Sequence, residues 1–427
     1  MKLGSTSYYF FCAALALFLS IGFVFFQIHN AGSQTDNSNA LSLSLTDRMT
    51  ATLESRFAAQ PNDVQFGIGL SDAYLQKVRE TGDATYYAKI EDTLHALEAS
   101  HPNEPQIHAE RAQIANGRHN FALGLSEIEK AIQGDPNVAN FYGIKSDSEI
   151  ELGAYMDAEK SLQRMLDRKP NFSSFSRAAY QRELHGEQIG AEEALRFAIQ
   201  AGSISSENIA WAHVELGKLL IRNDVPGAER EFNNALSILP DYAPALEGLG
   251  RVAFAKKDLS GAEVLFKKAM DTLPLAQYAI GLGDFYSATK NTAKSAQYYA
   301  LADVAYKKSE SSGVSVDLEY GLFLADHGDV SEALQRTENA YKNRPSIYAA
   351  DAYAWAQYKN NHMEEARSLL KQSMRLGEND PLLTYHGAMI YVANNDSVSA
   401  TRLFQKTFDL NPRFSIYFDS SLREHMK

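Results

Sequence analysis

Leu249-Gly250-Arg251-Val252-Ala253-Phe254, followed by Ala262-Glu263-Val264-Leu265-Phe266-Lys267-Lys268-Ala269 and closed by Pro274, is the stretch that decides the fold. Offsets of four and seven put Ala262, Phe266 and Ala269 on one stripe of a helix, and a small first residue lets the preceding helix approach closely. Backwards the spacing recurs as Ala228, Phe232, Ala235 with Pro240; Ala191, Leu195, Ala198; Ala158, Leu162, Met165 with Pro170; Gly124, Ile128, Ala131 with Pro136; and Ile90, Leu94, Leu97 with Pro102. Forwards it recurs as Ser295, Tyr299, Ala302; Ala333, Thr337, Ala340 with Pro345; Ala366, Leu370, Ser373; and Ala400, Phe404, Thr407 with Pro412. First positions 90, 124, 158, 191, 228, 262, 295, 333, 366 and 400 are 33 to 38 residues apart, a period that chance does not hold over ten copies.

A proline five residues beyond the third position cannot continue the helix, so it ends the second helix of each pair; Pro102, Pro136, Pro170, Pro240, Pro274, Pro345 and Pro412 stand there. Pro61, Pro105, Pro244 and Pro381 stand near the start of a first helix, where a missing amide donor costs nothing. Gly217, Gly250 and Gly283 each follow a leucine inside a first helix and predict close helix crossings. Without such a contact each would cost about 1 kcal/mol relative to Ala. No sustained apolar-polar alternation and no Asn-Gly or Asp-Gly hairpin competes. The expectation is an all-α chain: a right-handed α-solenoid, or superhelix, of about ten helix pairs over 61–413. A length of 427 residues alone suggests about three domains, whereas the period argues for one continuous array.

The amino-terminal end reads differently. Tyr8 to Ile28 carries no charge and is long enough to span a bilayer as a single transmembrane helix. A cleaved secretory signal is the competing reading, but Ala31 has His29 rather than a small residue two positions before it, and Ala14-Leu15-Ala16 lies inside the run, where cutting would leave Leu17 to Ile28 exposed. Residues 1–29 are therefore expected to be an anchor with a short tail. Lys2 and the amino terminus on one side, against Asp36 and Asp47 and then Arg48 on the other, orient the amino terminus to the cytoplasm and the solenoid to the extracytoplasmic side. Cys12, the only cysteine, lies in this run after Tyr9-Phe10-Phe11, so the rest of the chain has neither a disulfide nor a thiol nucleophile. Residues 30–46, rich in Ser, Asn and Gln, predict a flexible linker. Residues 47–60, with Met49, Leu53 and Phe57 at four-residue steps, predict a capping helix, and residues 414–427 a carboxyl-terminal cap or tail in which Phe414 to Phe418 is rich in aromatics.

The Leu-Gly, Ala-x-x-x-Phe and Pro pattern resembles the tetratricopeptide repeat. With the apolar amino-terminal run, the chain looks like bacterial membrane-anchored tetratricopeptide repeat proteins. Asp72-Ala73-Tyr74-Leu75-Gln76-Lys77, Leu324-Ala325-Asp326-His327-Gly328 and Arg344-Pro345-Ser346-Ile347-Tyr348-Ala349-Ala350-Asp351 are similar to segments typical of that family. The resemblance covers roughly 61–413. It implies an interaction scaffold that holds an extended peptide or a helix of a partner along the inner, first-helix face, and it implies no enzymatic activity. Several copies lack the aromatic or the closing proline. The Lys and Asn set with which one subclass grips acidic chaperone tails is not assembled here. The corresponding positions carry Leu75 and Arg79, Ala109 and Gln113, Gly143 and Asp147, Glu247 and Arg251, Ile280 and Asp284.

A formal net charge of −12 argues against a nucleic-acid ligand, whose backbone calls for clustered Lys and Arg, and favours a neutral or basic polypeptide. No P-loop, H-E-x-x-H, G-x-S-x-G or G-x-G-x-x-G after a strand is present, so no catalytic residue, cofactor or metal site is expected. His95, His101, His108 and His119 of the first two repeats would support an alternative reading, an envelope solute- or metal-binding protein, only if their side chains converge. The preferred contact patch is Asp326, His327, Tyr348, Asp351, Trp355 and His386, on three successive repeats. A tryptophan beside a carboxylate on a concave face suits a peptide hot spot, while the competing reading packs Trp355 into the core. In the first reading, replacing Asp351 and Trp355 by alanine leaves melting nearly unchanged. Extra residues at Gly202–Asn208 and Ser309–Val316 predict longer, protruding loops. Together these features predict a membrane-tethered, non-catalytic scaffold for a protein or peptide partner, acting in assembly or organisation of a cell-envelope complex.

Overall fold

The computed structural model describes residues 45–203 and 205–426, and all regular structure among them is helical. Helix α1 (Leu45–Ala59) precedes ten pairs: α2 (Val64–Thr81) with α3 (Thr85–Glu98), α4 (Pro105–Gly117) with α5 (Phe121–Gly134), α6 (Ala139–Glu151) with α7 (Tyr155–Arg168), α8 (Phe172–Leu184) with α9 (Gln188–Ala201), and α10 (Ser206–Leu220) with α11 (Val225–Ile238). Then come α12 (Ala243–Ala255) with α13 (Leu259–Thr272), α14 (Ala276–Ala288) with α15 (Thr292–Ser311), α16 (Asp317–His327) with α17 (Val330–Asn343), α18 (Ile347–Lys359) with α19 (Met363–Ser373), and α20 (Pro381–Ala393) with α21 (Ser397–Leu410). A short α22 (Asp419–His425) follows. The first and second helices of each pair are called A and B.

All ten sequence signatures fall on B helices, and their stripes point into the stack: Ala262, Phe266 and Ala269 are buried, as are Ala228, Phe232 and Ala235. The glycine reading holds at Gly250, where an added Cβ would lie 2.8 Å from the Phe266 ring. The turn between A and B is tight and repeats its own chemistry. His119, Lys257, Lys290, Asn361 and Asn395 take left-handed backbone angles one residue before helix B's N-cap. At four of these turns, Asn120, Asp258, Asn291 and Asp396 accept the backbone amide three residues on, which satisfies a donor the helix itself cannot pair.

The solenoid winds tightly enough to meet itself. The A–B turn of repeat two touches the junction leaving repeat seven, where Ser315 N donates to Arg118 O at 3.1 Å and His119 Nδ1 lies 2.6 Å from Ser315 O. The turn of repeat three meets the junction leaving repeat eight, with Ile347 N donating to the Tyr155 hydroxyl at 2.8 Å. The turn of repeat five meets the chain leaving repeat ten, with Arg413 Nη1 donating to Arg222 O at 3.1 Å. The same five-repeat offset at each contact means that successive superhelical turns lie directly on one another. Buried Arg–Glu contacts sit at or beside this seam: Arg344 bridges Glu151 and Glu319 at 3.5 and 2.7 Å, and Arg222 meets Glu183 at 2.8 Å. Burial, against the pull of those arginines, pushes Glu151 up to about 7 and Glu183 up to about 8.

Two loop expectations are corrected, the first by self-contact. The extra residues near Ser309 do not protrude: α15 extends through 20 residues to Ser311, and the short loop after it docks on Arg118 and His119. The extra residues near Gly202 likewise make only a short connection, because α10 already begins at Ser206. The capping helix starts at Leu45, two residues before the expected boundary, because Thr46 and Asp47 are engaged by Glu80 and Lys77 of α2. The apolar run Tyr8–Ile28, Cys12 and most of the 30–46 linker lie outside the described residues. Among the described residues no helix is long and apolar enough to cross a membrane.

Candidate functional site: the concave face and the segment that fills it

The A helices of repeats eight to ten carry the predicted patch, and the structure brings its members together in the interior. Asp326 and His327 end α16, Tyr348, Asp351 and Trp355 lie along α18, and His386 sits on α20. Trp355 is buried and stacks on His386, with ring centroids 4.0 Å apart and planes 10° from parallel. Its indole N–H donates to Asp326 Oδ1 at 2.8 Å, which satisfies a donor that burial would otherwise strand. Lys359 Nζ lies 3.4 Å from the same carboxylate and 5.1 Å from the indole ring centre. His386 Nδ1 is 2.8 Å from Asp351 Oδ2, with both side chains sealed from solvent. Tyr348 packs in the same core cluster.

His327 extends the site into repeat seven. It stacks on Tyr299 at 3.9 Å, and the Tyr299 hydroxyl donates to Asp284 Oδ1 at 2.9 Å. Burial holds His327 down to about 4 and pushes Asp284 up to about 7, so the 3.6 Å approach of His327 to Asp284 is not an ion pair at neutral pH.

What covers the patch is the chain's own carboxyl-terminal segment. The expectation that Phe414 to Phe418 caps only the last repeat is corrected: the segment runs back across the concave face. Phe418 meets Trp355 and His386 edge-on, at 6.0 and 5.9 Å, and Tyr385 at 4.6 Å. Tyr417 sets its ring against His327 at 4.6 Å and its hydroxyl 3.3 Å from the Asp326 carbonyl. Phe414 lies 5.5 Å from Tyr385, whose hydroxyl donates to Ser421 Oγ at 2.8 Å. Ile416 reaches the cluster of Phe254, Leu282, Phe285 and Tyr286 in repeats six and seven. Each aromatic so buried contributes roughly 2–3 kcal/mol relative to exposure. Trp355 is therefore a packed side chain, which corrects the expectation that its removal leaves melting unchanged.

The four amino-terminal histidines do not converge. His101 Nε2 contacts the Asn62 carbonyl at 2.9 Å, His108 Nδ1 meets Glu127 at 2.7 Å, His119 faces Ser315, and His95 is exposed. Among the described residues no cluster of three or more His, Cys, Asp or Glu is arranged to hold a metal ion. Sequence reasoning missed that residues 414–418 occupy the groove; the only signal was the density of large apolar side chains at Phe414, Ile416, Tyr417 and Phe418.

Ten helix pairs, each B helix presenting a stripe of the same spacing to its neighbours, with glycines at Gly217, Gly250 and Gly283 beneath the rings of Phe232, Phe266 and Tyr299, settle the architecture. The fold is a tetratricopeptide-like α-solenoid. No protein-family profile matches the chain, and no curated protein matches it in sequence. Among solved structures it is similar to PilW, a widely conserved type IV pilus biogenesis factor, at 17% identity over 48% of this chain and 94% of that one, with a TM-score of 0.40. It is also similar to yeast Tom70, at 15% identity over 89% and 95% of the two chains and a TM-score of 0.36. A human IFIT1 dimer with m7Gppp-AAAA aligns at 14% identity over 86% of each chain, with a TM-score of 0.47.

Proposed function

We propose that this chain is a non-catalytic scaffold whose concave groove holds an extended, aromatic-bearing segment of a partner protein in exchange for its own carboxyl-terminal segment. One observation carries this reading: Phe414, Tyr417 and Phe418 already lie in the groove as such a segment would, against Asp326, His327, Trp355 and His386. Asp351 orients His386, and Tyr348 packs beside them. The groove is thus floored by preorganised rings, the kind of surface on which a few aromatic anchors supply most of the affinity. A tethered segment competes at an effective concentration of about 1 mM. A partner present at about 1 μM must therefore bind roughly 4 kcal/mol more tightly than the resident segment, or act once that segment is released. The acidity of the chain favours a neutral or basic polypeptide over nucleic acid.

The scaffold is held at the membrane by the uncharged run Tyr8–Ile28, with the amino terminus cytoplasmic and the solenoid facing the cell envelope, where it positions its partner within an envelope complex. Extraction of the full chain from membranes by alkaline carbonate would sink the tether.

The groove is tested on the full chain in nonionic detergent with a fluorescent peptide of residues 411–426. The double variant Tyr417→Ala, Phe418→Ala is expected to bind the peptide in trans, read by anisotropy, while the parent chain does not. A variant that stays helical by circular dichroism yet binds no peptide overturns the reading. Phe418→Leu, which keeps an apolar side chain in place, takes its place in the same measurement should the double variant unfold.

A further inference from the structure

We propose that a second site, a cavity between repeat six and the carboxyl-terminal segment, binds a small organic anion: a phosphate monoester or carboxylate carrying a short apolar body. The cavity measures about 560 Å3, within the range of small-molecule sites. Its walls come from distant parts of the chain. Arg251 and Lys257 belong to α12 and the turn after it, whereas Arg413 and Arg423 belong to the segment that follows α21.

Charge distinguishes this place from the rest of the molecule. Four cations and one carboxylate, Asp419, line the cavity, a formal balance of +3 in a chain whose formal net charge is −12. Asp419 is engaged by Arg423 at 2.8 Å, and Glu247 behind the cavity pairs with Arg251. Arg413 gives one Nη1 donor to the Arg222 carbonyl; a guanidinium carries five N–H donors, so this contact leaves it able to fork onto an oxyanion. Lys257 on one wall and Arg413 on the other face one opening, and an anion between them is attracted from both walls.

The floor supplies the other half of the specificity. Ile221, Phe254 and Ile416 face the cavity, so a ligand that is all charge leaves apolar surface uncovered and one that is all hydrocarbon leaves the cations without a counter-charge. A head group joined to a short acyl or aryl body satisfies both. Because Ile416 is the residue by which the carboxyl-terminal segment reaches repeat six, occupancy also ties that segment to the groove wall. The cavity exists with the carboxyl-terminal segment in place, whether or not a partner ever replaces that segment in the groove.

The test is calorimetric titration of the full chain, in nonionic detergent, with hexyl phosphate and with hexanoate. Saturable binding of at least one probe is expected, weakened about tenfold or more by Lys257→Glu and by Arg423→Glu. Both side chains are exposed, so helicity and melting should be unaltered. Detergent partitioning is common to parent and variants and cancels in the comparison. Absence of saturable binding by either probe up to about 10 mM overturns the site, as does binding that neither charge reversal weakens. Inorganic phosphate binding as tightly as hexyl phosphate, or hexanol binding as tightly as either probe, overturns the two-sided recognition.

Discussion

The two ends of the solenoid are both covered, but in different ways. At the amino end α1 lies chiefly on α2, held by Thr46 to Glu80 at 2.6 Å, Lys77 to Asp47 at 2.6 Å and Tyr74 to Glu54 at 2.7 Å, with Lys89 of α3 4.0 Å from Glu54, Leu53 and Phe57 half-buried and Met49 exposed. Every one of those partners is a near neighbour in sequence. At the carboxyl end Arg413 reaches Arg222, Tyr417 reaches Asp326, and Phe414 and Phe418 are buried. The cause is the winding: a segment leaving repeat ten emerges beneath repeat five and finds walls from several repeats, whereas α1 rests on the first helix pair. A cap and a groove ligand are thus the same kind of object, a short apolar segment, differing in how many surfaces the superhelix offers it.

The largest expected effect is at the carboxyl end. Trp355→Ala removes a buried ring stacked on His386 and takes the indole donor away from Asp326, and is expected to cost about 3–5 kcal/mol in chemical denaturation. A cost under about 1 kcal/mol would break the comparison, since the carboxyl end would then be no better packed than the amino end.

An intermediate effect belongs to the buried acids beside the self-contact. Glu183 in the folded chain titrates at about 8 against an ordinary value of 4.5, so the folded state holds its proton more tightly than the unfolded state. Its contribution to stability is complete below about 4.5 and is lost as pH rises through about 8. Melting temperature is expected to rise as pH is lowered from about 8.5 to about 5, and Glu183→Gln to flatten that slope. A slope unchanged by the substitution would remove Glu183 as its source.

Smallest is the amino-terminal cap. Met49 is 43% exposed, and Met49→Ser is expected to change stability by no more than about 0.5 kcal/mol. A loss of several kcal/mol there would mean that α1 is as deeply held as residues 414–418, and the contrast between the two ends would disappear.

Much of the fold was legible because its determinants are local. Phe266, on one stripe with Ala262 and Ala269, meets Gly250 across one turn, and a helical period together with a small residue is enough to announce that contact. The candidate site was legible only as composition. Asp326, His327, Asp351, Trp355 and His386 were read as lying in three successive repeats, but their exposure was not readable, because residues 414–418, which no periodicity connects to them, pack against them. The Ser309 region misled for the same reason: an insertion protrudes only where nothing lies opposite, and here repeat two does.

Spacing along the chain was sufficient to specify helices, pairing and stacking order, since each of these is a negotiation between side chains fewer than about forty residues apart. Whether the groove stands open, and which side chains are sealed inside it, was decided by the pitch at which the stacked pairs wind. That pitch sums small rotations at every interface between repeats, so it exists only in the assembled molecule and leaves no mark on any single stretch of sequence.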